Sequence, residues 1–281
     1  MLLLFIAMDA FRIYVRALQR DPPTFPVPRG IEAVPGFFKD CAIWTVFFTG
    51  LMLLAPRMAK TFAPSWYKQL DSRKKAQFPP YAVSMIHHVI VVPYGWYYFF
   101  QDIIIPSYSN GMVDYSHFLE FLTPILGAFV VADALCYALP ESVFHNHHEY
   151  LIHHVLAILL FVPCLYGPGA LVRYYPHLVI CETTNLLFNI AWLLRLAGYR
   201  TSPAVTICEV LFAIVFFFTR FVNLTIVFAK IFLSEEGLAM GPFRYLLPPI
   251  LILQWYWMWK IVQALLRKFG GGAPSGLEKK E

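Results

Sequence analysis

Ten ionisable side chains sit inside apolar stretches of this chain: His87, His88, Asp133, His153, His154, His177, Glu182, Glu209, Arg220 and Lys260. A lone charge at the centre of a lipid-embedded helix costs roughly 2.5–3.5 kcal/mol on insertion scales, so such residues turn inward and mark sites. The sharpest group joins two segments. Tyr150–Val162 carries the double histidine His153-His154, and Cys181–Trp192 carries Glu182, Asn185 and Asn189 at i, i+3 and i+7. That spacing puts the three polar residues on one helix face, which Trp192 extends. A carboxylate beside an imidazole is the material of general acid–base or nucleophilic chemistry. Neighbouring helical positions point about 100° apart, so one histidine reacts or binds while the other packs or hydrogen-bonds. Asp133 lies deep in its stretch with Tyr137 one turn on, on the same face. Arg220 follows three phenylalanines and a threonine; it can pair with Asp133 or Glu182, or hold an anionic lipid head or an acyl-CoA phosphate.

A metal is the competing use of so many histidines. His145, His147 and His148 lie close to His153 and His154, and imidazole is the commonest transition-metal ligand. Membrane di-iron enzymes, however, repeat spaced histidine boxes. Here His87-His88 has no upstream partner, and His117 and His177 stand alone. The sequence predicts no metal and no resident cofactor, and it holds no phosphate-binding loop, nucleophile elbow or dinucleotide fingerprint.

The elements that position these residues are membrane helices. The chain has 281 residues, 59% of them hydrophobic and 14% charged, where soluble domains average about 25% charged. Segments long enough to cross a bilayer fall near 36–56, 81–104, 117–139, 150–166, 172–194, 204–232 and 244–267, about seven in all. Residues 1–20, with Arg12, Arg16 and Arg20 opposite Phe11, Val15 and Leu18, read as an amphipathic helix in the interface. A proline-rich linker follows, so 1–35 forms an N-terminal segment; 36–74 holds the first span and a basic loop. By the distribution of basic residues, the loop at 57–80, the 195–203 loop and the flexible tail at 269–281 are cytosolic. Seven spans then place the N-terminus in the lumen, against the preference of Arg12, Arg16, Arg20 and Arg29. The net charge of +5 gives no footprint for nucleic acid, and five scattered cysteines read as small buried hydrophobes.

The Asp133 span, Ile152-His-His-Val155, the Glu182-Thr-Thr-Asn185-Leu-Leu-Phe-Asn189-Ile-Ala-Trp192 run, Thr219-Arg220 and Trp255-Tyr-Trp-Met-Trp-Lys260 together resemble the TLC-domain proteins, the group that contains the ceramide synthases. The likeness covers roughly 75–268 and implies an all-α membrane fold in which six helices form a barrel around a lipid-sized cavity, with one leading span. It also implies a role in lipid homeostasis, with a membrane lipid or fatty-acyl ligand as partner, residence in the endoplasmic reticulum, and room for a homo-oligomer. On this resemblance His153, His154, Glu182 and Asp133 are the catalytic candidates, and His87, Asn185, Asn189, Trp192 and Arg220 the lipid contacts. The ceramide synthases carry a His-Asp pair and a second Asp where this chain has Cys181-Glu182 and Asn185. Three functions therefore stand open: a lipid-binding protein that modifies its ligand or only holds it, an acyltransferase using acyl-CoA as co-substrate, and a non-catalytic receptor or adaptor.

Overall fold

The computed structural model describes residues 34–108, 118–166, 172 and 174–269. The expected interfacial helix at 1–20, the proline linker and the tail lie outside the described residues. Those described are helical almost throughout, with no strand. In chain order they form α1 (Val34–Phe62), α2 (Pro64–Gln69) and α3 (Ser72–Tyr108). Next, α4 runs through a π-helical turn at Phe118–Leu122, then Thr123–Asp133, a second π segment at Ala134–Ala138, and Leu139–His145. Then come α5 (His148–Tyr166) and α6, built from Tyr175–Val179 and Glu182–Leu196 around a turn. α7 comprises Pro203–Phe216, a π segment at Phe217–Asn223 and Leu224–Leu233. The short α8 (Glu235–Ala239) and a 3-10 turn at Gly241–Leu246 lead to α9 (Leu247–Phe269).

Among the described residues, four helices are long and apolar enough to cross a membrane: Gly36–Phe62, Glu120–His145, Tyr175–Leu196 and Pro203–Leu233. The other three expected spans fall on α3, α5 and α9. On α3 and α9 polar residues such as His87, His88, Gln254 and Lys260 lower the mean hydropathy, whereas on α5 the apolar stretch His148–Leu160 is shorter than the four. One boundary is corrected. The basic stretch at 57–80 is not a loop: α1 continues to Phe62, α2 occupies part of it, and α3 begins at Ser72. Asp71 starts that helix by accepting the Lys74 backbone N–H at 2.8 Å, and the same lysine's ammonium holds the Asp71 carboxyl below its ordinary pKa. At the α6–α7 junction Gly198 takes φ +97°, and Ser202 accepts from the Val205 N–H with Pro203 in the first turn of α7.

Helix contacts run in a closed order: α3 on α6, α6 on α7, α7 on α9, α9 on α5, α5 on α4 and α4 on α3, while α1 lies against α3 and α4. The two larger apolar clusters among the described residues hold this arrangement. Phe48, Met52, Val83, Val91, Ile125 and Phe129 join α1, α3 and α4; Leu160, Cys181, Leu224, Phe228, Leu247 and Ile250 join α5, α6, α7 and α9. The outward faces are apolar as well, with Val46, Leu53, Phe144, Phe218 and Ile252 all exposed. A surface of that kind suits hydrocarbon and not water. α3 and α6 approach closely at Gly95, where a Cβ would come within 2.5 Å of Val179 Cγ1 and 3.2 Å of its backbone carbon. Backbone cannot move aside as a side-chain tip can. Gly95→Ala should therefore cost about 1–3 kcal/mol, read as an earlier thermal melt in detergent; an unchanged melt would show that the two helices part freely.

Candidate functional site

The helices α3, α4, α5, α6, α7 and α9 line a cavity of about 580 Å³, inside the range of about 300–1,000 Å³ typical of small-molecule sites. It is long. Glu182 and Arg195 both line it, and those 13 positions of α6 correspond to about 20 Å of helix rise. Its apolar wall includes Phe129, Val130, Phe188, Phe212, Phe216 and Leu265. At the far end Arg195, Glu209, Lys260 and Lys268 line the wall. There Glu209 pairs with both Arg195 and Lys268, and Lys260 reaches Glu149 at 3.3 Å.

The inner end is a polar network centred on Glu182. Its Oε2 meets His88 Nε2 at 2.7 Å and accepts the Asn185 amide at 2.8 Å. Ser84 Oγ lies 3.1 Å from His88 Nδ1 and accepts from Asn189 Nδ2 at 2.8 Å. The run Asn189, Ser84, His88, Glu182 is therefore one hydrogen-bonded chain from α6 to α3 and back. Arg220 braces it from α7. Its Nε donates to Thr184 Oγ1 at 2.8 Å and to the Cys181 carbonyl at 3.2 Å, and its Nη1 to Gln254 Oε1 at 3.3 Å. Its Nη2 stands 3.8 Å from Glu182 Oε1, in ionic range but beyond a hydrogen bond.

A second imidazole–carboxylate pair faces it. His154 Nε2 meets Asp133 Oδ2 at 2.8 Å, and its Nδ1 lies 2.7 Å from the Tyr150 carbonyl. A carbonyl only accepts, so Nδ1 carries a hydrogen. The remaining contact to Asp133 then holds one proton between ring and carboxyl, leaving the pair neutral as a whole. Asp133 immediately precedes one π segment and Arg220 sits inside another; such widened turns often occur at functional sites.

Asp133, His153, His154, Glu182, His87, Asn185, Asn189 and Arg220 all line this one cavity. The two adjacent histidines differ. His154 is bonded on both nitrogens, whereas His153 packs its ring edge-on to Trp257 with centroids 5.1 Å apart and leaves a buried Nδ1 without a protein partner. Trp192 is not in the wall; it stacks on Tyr81 at 4.2 Å and backs that lining residue. His177 lies elsewhere, bonded to Asn223 at 2.7 Å. Glu209 and Lys260, read as buried charges of the same site, belong to the charged far end. Among the described residues no three His, Cys, Asp or Glu side chains cluster as metal ligands would, and Cys41, Cys136, Cys181 and Cys208 are free thiols. Ser84, Tyr137, Trp257 and Gln254 join the site without having been singled out as site residues. Ser84 had a signal: Ser84-x-x-His87-His88 is an i, i+3, i+4 face.

A family profile described as the TLC domain matches residues 77–263, from the first turns of α3 well into α9. The chain belongs to the TLC-domain family, and is an all-α membrane protein of that generally lipid-related group. No curated protein matches it closely enough to mark a relative.

Proposed function

We propose that the chain binds one lipid or fatty-acyl molecule inside a six-helix barrel formed by α3–α7 and α9, with α1 as a leading seventh span. The observation that carries this is a set of buried polar atoms that make no hydrogen bond within the protein, all on residues lining the same cavity: both ring nitrogens of His87, Nδ1 of His153 and Nη2 of Arg220. A buried polar group left unsatisfied costs about 1–3 kcal/mol, and three such side chains converging on one space fit a ligand's polar head. The aromatic and aliphatic wall beyond them suits its hydrocarbon. In the acyltransferase alternative the same cavity serves, acyl-CoA is the co-substrate, and His153 rather than the doubly bonded His154 is the histidine with a nitrogen left for substrate.

Protein purified in mild detergent should carry a lipid that denaturing mass spectrometry identifies. Ala157→Trp, which places a large ring in the cavity wall, should expel most of it while the melt stays cooperative. Detergent-background lipid alone in both proteins would overturn the binding reading and favour an adaptor. We further place the protein in the endoplasmic reticulum, on family membership, as an element of lipid homeostasis there; a fluorescent fusion seen solely at the plasma membrane would contradict this.

A further inference from the structure

We propose that Ser84 is an acyl-accepting nucleophile, with His88 as its general base and Glu182 holding that base, acting on the carbonyl of a fatty-acyl ester or thioester. This rests on the lipid-binding reading and names the reaction that the inner end of the cavity is built for. The warrant is the order of donors and acceptors. Glu182 is surrounded by donors: Asn185 Nδ2 at 2.8 Å, His88 Nε2 at 2.7 Å, and the Arg220 guanidinium at 3.8 Å. A carboxylate in that setting only accepts, so His88 carries its hydrogen on Nε2 and turns a lone pair on Nδ1 toward Ser84 Oγ, 3.1 Å away. Ser84 Oγ in turn receives the Asn189 amide at 2.8 Å, which leaves its own hydrogen aimed at His88. Nucleophile, base and orienting acid therefore stand in the sequence that activates a hydroxyl, with the two imidazole nitrogens exchanged relative to the serine-protease arrangement.

The carbonyl has a candidate partner too. His87 sits one helical turn from Ser84, is 1% exposed, lines the cavity, and has neither ring nitrogen bonded within the protein. Its N–H is a donor for the oxygen on which negative charge develops. In the reaction Ser84 Oγ attacks the acyl carbon and its proton passes to His88 Nδ1. The tetrahedral adduct then expels the alkoxide or thiolate, which takes that proton from His88 and leaves as alcohol or thiol. The acyl group, now an ester of Ser84, is removed by water or by a lipid hydroxyl or amine, deprotonated by His88 in its turn. No oxidant or metal is needed.

The test is labelling with a long-chain alkyl fluorophosphonate, after the co-purified lipid has been exchanged for detergent and its removal checked by native mass spectrometry. One adduct per chain is expected, on the peptide containing Ser84. His88→Ala and Glu182→Gln should slow labelling by about 100-fold or more, the usual scale of a positioned base, and Ser84→Ala should abolish it. Should Ser84→Ala fail to fold, Ser84→Cys keeps a nucleophile of similar size and should move the reactivity to a long-chain alkylating probe at the same position. An adduct on His153 or any other side chain overturns the proposal, as does an unlabelled protein. If an unlabelled sample had carried lipid before exchange, the serine assignment alone fails; if it had carried none, the binding reading fails with it.

Discussion

Arg220→Ala should destabilise the protein by about 3–5 kcal/mol, the range found when one partner of a buried ion pair is removed. The guanidinium is 4% exposed and serves four groups at once: Thr184 Oγ1, the Cys181 carbonyl and Gln254 Oε1 by hydrogen bonds, and the Glu182 carboxylate by charge at 3.8 Å. Truncation leaves Glu182 without its cation and strands three acceptors where water is scarce. Arg220→Lys should recover little, because an ammonium is a single point of charge and cannot span that fork of acceptors. Pairing the truncation with Glu182→Gln removes the stranded charge and should restore part of the loss. Four proteins compared by thermal and denaturant unfolding in one detergent give the coupling; strictly additive losses would mean that Arg220 and Glu182 do not act as a pair.

That pairing shows how far the sequence reaches. The face formed by Glu182, Asn185 and Asn189 was legible because burial in lipid enforces helical periodicity on polar residues, and all three do line the cavity. The choice between Asp133 and Glu182 as the partner of Arg220 was not legible. It depends on which helices are neighbours, and α7 lies beside α6, whereas Asp133 on α4 meets His154 on α5. The 100° between His153 and His154 implied different fates without saying which would be bonded; the Tyr150 carbonyl one turn earlier on α5 decides it. Ser84 escaped because a serine inside a helix normally bonds its own backbone, and only the arrival of Asn189 and His88 at its oxygen gives it another reading. Trp192 continued the polar stripe in sequence yet lies outside the cavity wall, stacked on Tyr81. The spans were plainest where the helix stays apolar along its length, as α4 does although much of it is buried. They were weakest on α3 and α9, where inward polar residues dilute the apolar signal.

The second large effect separates two substitutions at Asp133. Asp133→Ala should cost about 3–5 kcal/mol, while Asp133→Asn should cost about 1 kcal/mol or less. The reason is the proton count of the pair. His154 must donate from Nδ1 to the Tyr150 carbonyl at 2.7 Å, so with Asp133 ionised its other nitrogen is protonated as well and the ring is a cation. Alanine removes the counter-charge and the acceptor together. The ring then either stays charged without a partner or loses the Nε2 proton and leaves that nitrogen bare, in a site where His154 is 13% exposed. Asparagine allows a third outcome: His154 becomes neutral, keeps its Nδ1 hydrogen, and accepts at Nε2 from the new amide. Every hydrogen bond survives and both charges vanish together, and exchanging a buried ion pair for a neutral one is often nearly neutral. His154→Ala should resemble Asp133→Ala, because it strands the carboxylate instead of the ring. Unfolding of the three variants in one detergent decides the matter. Equal losses for Asp133→Ala and Asp133→Asn would mean that the charge itself, and not the satisfied hydrogen bonds, holds α4 to α5. A harmless Asp133→Ala would mean that water reaches the pair freely and that this wall of the cavity is open.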